Sequence, residues 1–313
     1  MQEDRWEREA LKDVALAAIQ EQRRSRRWTI FFRLVILAYI TLFVLFSPAC
    51  QFGERGAVGR HTAVVDVTGP IMPESQASAE RVIRGLQAAF RAPDVAGVVI
   101  RIDSPGGSPV QAGRINDEIV RLRGQYPDIP VYAVVEDMCA SGAYYIAVAA
   151  EQIYVDKASM VGSIGAVMST FGFTEALDKL GVERRLYTAG EQKGFLDPFL
   201  PASEQDERHV QSMLDEIYLQ FVDVVRDGRG DRLPEDADVF NGLIWTGERS
   251  IELGLADELG STEFVAREVI GAPELVDYTP RLDFFSQFAE RIGASAGARI
   301  AAFLGGEGVS PSF

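Results

Sequence analysis

The sequence predicts an α/β fold with largely parallel strands, and three observations carry the prediction. Short runs rich in valine and isoleucine, Thr62–Val67, Gly97–Ile102 and Val131–Val135, have the length and composition of buried strands. Segments with helical spacing separate or follow them, at Ser78–Phe90, Val110–Arg123 and Ser141–Ala150. Turn residues stand at the junctions, as Gly69-Pro70 and as Ser104-Pro105-Gly106-Gly107. A strand that must reach a parallel neighbour needs a crossover, and helices of this length supply one.

The first strand ends at Gly69-Pro70, and the helix near Ser78 leads to the second strand. The Ser-Pro-Gly-Gly turn then opens the helix near Val110, with Ser108 suited to the N-cap and Pro109 to the first helical position. The third strand leads into a helix that begins at Ser141. Short apolar segments at Ile153–Val155, Ile164–Met168 and Arg185–Tyr187 continue the alternation. Long helical patterns follow, at Ser203–Arg226, Gly247–Leu253 and Thr262–Ile270, and no internal repeat is evident.

A chain of 313 residues with 47% apolar and 25% charged side chains can bury a sizeable core. Its formal charge is −15, but the first 33 residues carry eight basic and six acidic side chains, so the body is more acidic still. An acidic body excludes the basic surface that nucleic acid requires. Cys50 and Cys139 are too few for a disulfide framework, and no Cys/His cluster has metal-ligand spacing, so neither a metal nor another cofactor is expected.

Residues 1–27 read as a cytoplasmic tail, with Trp6, Leu11, Val14, Ala15, Ala18 and Ile19 near helical spacing and a cluster at Arg23, Arg24, Arg26 and Arg27. Residues 28–50 are mostly apolar and interrupted by one charge, Arg33, which can reach the headgroups from near the end of a span. A transmembrane anchor is expected there, its N-terminus cytoplasmic because the arginines precede it. The rivals are a cleaved signal peptide ending near Ser47-Pro48-Ala49 and a lipid-modified Cys50, but the polar region ahead of the apolar run is far longer than signal peptides carry. Residues 51–61 are then a linker, 62–272 an extracytoplasmic domain, and 273–313 a tail. In that tail Phe284, Phe285, Phe288, Ile292, Ile300 and Phe303 mark an amphipathic helix that packs on the body or a neighbouring subunit, or lies on the membrane surface.

Two turns carry chemistry. The glycines of Ser104-Pro105-Gly106-Gly107 free backbone N–H groups to point at a ligand, as an oxyanion hole requires; alone, the segment is equally a tight strand–helix turn. In Met138-Cys139-Ala140-Ser141-Gly142-Ala143-Tyr144-Tyr145 a serine stands where a strand ends and a helix starts, exposed among small residues, although an N-cap serine reads the same way. A nucleophilic serine needs a base. His61, in the linker, and His209, on a charged helix, both read as surface residues. Lysine can serve if burial favours the neutral amine. Of the four lysines, Lys12 precedes the anchor, Lys157 follows Asp156 in a turn and Lys179 lies on a helix face. Lys193 sits in a loop with Phe195, Leu196, Pro198 and Phe199, where desolvation is most credible.

Ser104-Pro105-Gly106-Gly107, Ala140-Ser141-Gly142-Ala143-Tyr144-Tyr145 and Val161-Gly162-Ser163-Ile164-Gly165, in this order, resemble the signal peptide peptidase A family, peptidase family S49, over roughly residues 62–270. The resemblance implies a Clp protease/crotonase-like fold, Ser141 as nucleophile and Lys193, before Asp197-Pro198-Phe199, as general base. It implies oxyanion donors at the Ser-Pro-Gly-Gly turn and after the serine, assigned to Gly107 and Gly142. The expected enzyme is a serine endopeptidase of the bacterial inner membrane that degrades remnant signal peptides or other unfolded membrane-associated peptides. This chain is a short form with one copy of the domain, so a homo-oligomer with active sites shared between subunits is expected. A crotonase-type acyl-CoA enzyme or a non-catalytic membrane scaffold would share the fold; neither needs an activated serine.

Overall fold

The computed structural model describes residues 22–24, 26–39, 41, 59–234 and 238–280. The chain divides into two units, Met1–Val58 and Gly59–Phe313. In the first, residues 22–24, 26–39 and 41 are helical, and Trp28, Phe31, Phe32, Leu34, Ile36 and Leu37 expose their side chains. Among the described residues no helix is long and apolar enough to cross a membrane. The rest of the span expected at 28–50 lies outside the described residues, as do residues 1–21 and 25 of the tail and the amphipathic helix expected from 282 to 303.

In the second unit the element order is β1 (His61–Thr68), α1 (Ala79–Arg91), β2 (Val95–Ser104), α2 (Pro109–Gln125), β3 (Val131–Ala140), α3 (Gly142–Ala147), β4 (Gln152–Val155), β5 (Met160–Gly162), α4 (Thr174–Leu180), α5 (Glu204–Arg229), β6 (Ile244–Thr246), α6 (Gly247–Glu252), β7 (Glu258–Leu259), α7 (Thr262–Phe264, continued by a π-wound turn Val265–Ile270) and β8 (Leu275–Asp277). The described strands form one sheet in the order β6-β5-β3-β2-β1-β8, with β4 beside β3 and β7 beside β4. All neighbours are parallel except β5 and β6. The α/β architecture with largely parallel strands therefore stands as predicted.

The valine-rich strands are continuous apolar runs because both faces of the sheet are covered. Val65, Val67, Val98, Ile100 and Ile102 face a core completed by Leu86 of α1, Ile115 and Ile119 of α2 and Ile146 of α3. Val99, Val134 and Tyr154 face the other way, against Val265, Ile270 and Ala272. Ser108 caps α2 by accepting from Gln111 N, and Pro109 takes its first position, as the sequence suggested.

Three details depart from the sequence reading. His61 is not a surface residue of a linker. It opens β1, is 2% exposed, and its Nε2 lies 3.0 Å from the Tyr278 hydroxyl, across rings stacked at 5.9 Å. Ile164–Met168 and Arg185–Tyr187 form no strand, and the helix after Ser141 stops at Ala147 instead of Ala150. Four short strands, β5, β6, β7 and β8, went unread, because two or three residues carry too little periodicity to stand out.

Strand β3 is long enough to serve two neighbours. Tyr132–Val135 pair with β4, and Met138–Ala140 pair with β5. On its other side the register against β2 shifts between Ile102 and Ser104, where the Ser-Pro-Gly-Gly turn begins. The C-terminal ends of β2 and β3 thus come together at the two turns singled out for chemistry, where open α/β sheets place their ligands.

Candidate active site

Ser141 lies between the end of β3 and the start of α3, with φ 53° and ψ −123°. A serine pays a steric cost in this region, of order 1–3 kcal/mol, and such a conformation persists only where its surroundings enforce it. Here they do. The Ser141 N–H donates to Gly162 O at 2.8 Å, and its C=O accepts from Tyr145 N at 3.1 Å. Gly142, Ala143, Tyr144, Ile146 and Ala147 are buried, so α3 cannot shift to relieve the strain. Asn116 of α2, itself buried, donates through Nδ2 to Tyr145 O at 2.7 Å, and the Tyr144 hydroxyl donates to Leu255 O at 2.8 Å. The side chain does not cap the helix and is half-buried at the surface. A capping serine, the alternative the sequence left open, is therefore excluded. Cys139, two residues earlier, is fully buried and burial pushes its thiol up, which keeps it from competing as a nucleophile.

The second turn wraps against this junction. Gly106 has φ 89°, and a side chain there would meet Ala140 O at 2.5 Å, Gly142 N at 2.7 Å and Ser141 Cβ at 2.9 Å. Gly107 has φ 151°, and a Cβ there would collide with Ile71 O. Only glycine allows the two backbones to approach this closely. Ile71 N donates to Gly106 O at 2.9 Å and Ser108 N to Ile71 O at 2.8 Å, which clamps the turn from behind. Gly106 N donates to Ser104 Oγ at 3.1 Å. Among the described residues the N–H groups of Gly107 and Gly142 donate to no acceptor. A Cβ built on Gly142 would lie 3.3 Å from Gly107 N, so both glycines stand side by side next to the serine.

Lys193 hydrogen-bonds to none of these groups. It is exposed, in a run of turns from 189 to 199, and its ammonium has no hydrogen-bond or ion-pair partner among the described residues. The apolar neighbours expected to desolvate it pack otherwise. Phe173 stacks on Phe171 at 6.4 Å and on Phe199 at 5.5 Å, while Phe195 meets the His209 ring edge-on at 5.4 Å. Arg184 pairs with Asp197 at 3.0 Å, and this loop ordering holds the Asp197 carboxyl below the usual range, chiefly through the N–H of Phe199. A cavity of about 740 Å³ opens inside this region, lined by Met168, Phe171, Leu186, Phe195 and Leu200. Among the described residues, then, Ser141, Gly107 and Gly142 come together, and no hydrogen bond or ion pair joins Lys193 to them. Lys157 and Lys179 are exposed, as expected, and Lys179 pairs with Glu175 at 3.8 Å.

The segment around Lys193 is unusual in another respect. Val167 is 91% exposed and Tyr187 89%, and Phe171 and Leu180 are also largely bare. Helix α5, 26 residues long, buries only Phe221, Val222, Val225 and Arg229, all in its C-terminal third. The sequence reading missed Ser104, whose hydroxyl is buried in the turn, and the carbonyl of Gly162 that fixes Ser141. Both lie in quoted motifs, but a motif does not disclose which of its groups face inward.

A strained serine at a strand–helix junction, beside two unengaged amides, is an arrangement that serine hydrolases use for acyl transfer. The chain belongs to peptidase family S49. The model of that family matches residues 125–271. Over 213 residues the chain is 30% identical to a candidate protease of Methanocaldococcus jannaschii, covering 66% of this chain and 68% of that protein. Over 185 residues it is 30% identical to a candidate signal peptide peptidase SppA of Enterococcus faecium, covering 59% of this chain and 53% of that one. It is also 40% identical over 225 residues to the Na(+)/H(+) antiporter NhaA of Brucella abortus, covering 70% of this chain but only 30% of the antiporter. The chain thus spans about half of the Enterococcus protein and less than a third of the Brucella one.

Proposed function

We propose that this chain is a serine endopeptidase in which Ser141 is the nucleophile and Lys193 the general base. The observation that carries the reading is the enforced positive φ of Ser141 beside the free amides of Gly107 and Gly142. Ser141 Oγ attacks the scissile carbonyl carbon and gives its proton to the neutral amine of Lys193. The carbonyl oxygen, now negative, accepts hydrogen bonds from Gly107 N–H and Gly142 N–H, which are aimed before the charge develops. Collapse of the tetrahedral intermediate breaks the C–N bond, and the lysine returns the proton to the leaving amine. Water, deprotonated by the same lysine, then releases the acyl group from Ser141.

The base is supplied by a neighbouring subunit in this reading. A lysine that stays wet stays protonated and cannot act as a base. The exposed apolar side chains of the Lys193 region, Val167, Phe171, Leu180 and Tyr187, favour burial against another protein surface, and a second copy would cover them while closing its own site. Mixing Ser141→Ala and Lys193→Ala chains by co-expression is expected to restore part of the activity that each lacks. Co-assembled variants that stay wholly inactive would show the dyad to be within one chain.

The substrate class follows from the anchor. Residues 28–50 hold the enzyme at the inner membrane with the peptidase unit outside the cytoplasm, and remnant signal peptides or other unfolded membrane-associated peptides are its substrates. The arginine cluster ahead of the apolar run supports this orientation. In spheroplasts, externally added protease is expected to reach residues beyond Gln51 and to spare the N-terminal tail. The opposite pattern, or a mature soluble form beginning near residue 50, refutes the anchor.

A further inference from the structure

The turn that carries Gly107 contains two adjacent amides, and only one of them is free. Ser104, at the last position of β2, is fully buried. Its hydroxyl donates to Gly69 O at 2.7 Å and accepts from Gly106 N at 3.1 Å. One side chain therefore ties the end of β2 to the segment leaving β1 and occupies the Gly106 N–H. Two backbone bonds to Ile71 flank Gly107 without using its own N–H. In a parallel bridge such as Ile71 with Gly107, the central residue turns its amide away from the partner. With Gly106 held by Ser104 and the back of the turn held by Ile71, the one donor left over is Gly107.

We infer that Ser104 is a positioning residue of the peptidase, which selects Gly107 N–H over Gly106 N–H as the oxyanion donor by engaging the latter. The inference rests on the reading of Ser141 as the nucleophile. Without the hydroxyl, Gly106 N–H and Gly69 C=O both lose their buried partner, and the turn can rotate to relieve them. Gly106 N–H then competes with Gly107 N–H for the position beside Ser141. Since oxyanion donors act only on charge that develops in the transition state, the damage falls on kcat and leaves KM nearly alone.

The test compares Ser104→Ala with the wild-type full-length enzyme in detergent, using a cleavable peptide, a peptide aldehyde and a serine-directed fluorophosphonate. The aldehyde forms a hemiacetal with Ser141 whose oxygen occupies the oxyanion position. In Ser104→Ala, kcat is expected to fall about 10- to 100-fold with KM within about twofold, and aldehyde affinity is expected to fall in parallel. A folded variant that keeps kcat and aldehyde affinity within about twofold overturns the role, as does one whose KM rises while kcat holds. If Ser104→Ala does not fold, a crystal structure of the wild-type aldehyde adduct decides. The oxygen on Gly107 N and Gly142 N, with Gly106 N still on Ser104, supports the assignment; the oxygen on Gly106 N overturns it. A wild type that cleaves no peptide and takes no fluorophosphonate at Ser141 fails the nucleophile reading itself, and the role of Ser104 with it.

Discussion

Replacing Ser141 by alanine is expected to lower peptide hydrolysis on the order of 10⁴-fold or more, to the background that substrate binding and the oxyanion donors sustain alone. In the proposed dyad Lys193→Ala should fall equally far, because nucleophile and base would act as one unit and losing either would remove the same step. Lys193→Arg is the sharper variant. It keeps the charge and most of the length, but a guanidinium does not deprotonate in a protein and cannot take the serine proton. Steady-state hydrolysis of a fluorogenic peptide reads all three, with fluorophosphonate labelling as a check on Ser141. Substantial turnover in Lys193→Arg would rule out lysine as the base. The histidines separate a dyad from a triad. His209, on the surface of α5, should be replaceable by alanine without loss. His61→Ala breaks the buried contact with Tyr278, so it should lower stability while activity per folded molecule persists.

Replacing Asp257 by alanine is expected to destabilise the peptidase unit by about 3–5 kcal/mol, because it strands a buried guanidinium. Arg229 ends α5 with a side chain 1% exposed, and it meets Asp257 through two hydrogen bonds of 2.8 and 2.9 Å. Its Nε donates to Gly254 O at 2.7 Å, and Asp257 also accepts from Ile153 N at 2.7 Å. The pair thus ties the end of α5 to β4 and to the approach to β7. Burial pushes the Asp257 carboxyl up, but the Arg229 guanidinium, with Ile153 N–H and Arg232, outweighs this and holds it below the ordinary range. A carboxyl whose folded value is depressed stabilises the fold fully above its unfolded value, about 3.9 for aspartate. That contribution is lost as pH falls through the lower folded value. Urea unfolding at fixed protein concentration should show the loss at pH 7 in Asp257→Ala. The double change Asp257→Leu with Arg229→Met should recover much of it, since an apolar pair leaves no charge unpaired. A single variant as stable as wild type would show that water solvates the guanidinium without its partner.

The half of the fold that holds the candidate site was legible in the sequence because its signals are local. Valine runs such as Gly97–Ile102 can only be satisfied between two apolar layers, so strand identity and parallel pairing followed from the chain alone. Ser108-Pro109 marked a helix start through capping chemistry that involves neighbours three residues apart. The serine and glycine positions of the site were legible for the same reason: they sit at strand ends, and strand ends in a parallel sheet gather at one edge.

Other features depend on contacts that the sequence does not encode at short range. His61 looked like linker because its burial comes from Tyr278, more than two hundred residues away in the chain. Lys193 looked desolvated because Phe195 and Phe199 flank it, yet those rings pack on His209 and Phe173 and leave the amine in water. Side-chain direction, which proximity along the chain does not determine, decides such cases. The sequence by itself determined the strand-ending turns that hold Ser141, Gly107 and Gly142, and it offered Lys193 as the candidate base. Only the tertiary structure decided that Ser141 is held at positive φ, that Ser104 occupies Gly106 N–H and leaves Gly107 N–H free, and that Lys193 lies exposed. Each of these is a matter of how separate strand ends and loops meet, where hydrogen bonds and steric contact across the fold override what any single segment prefers.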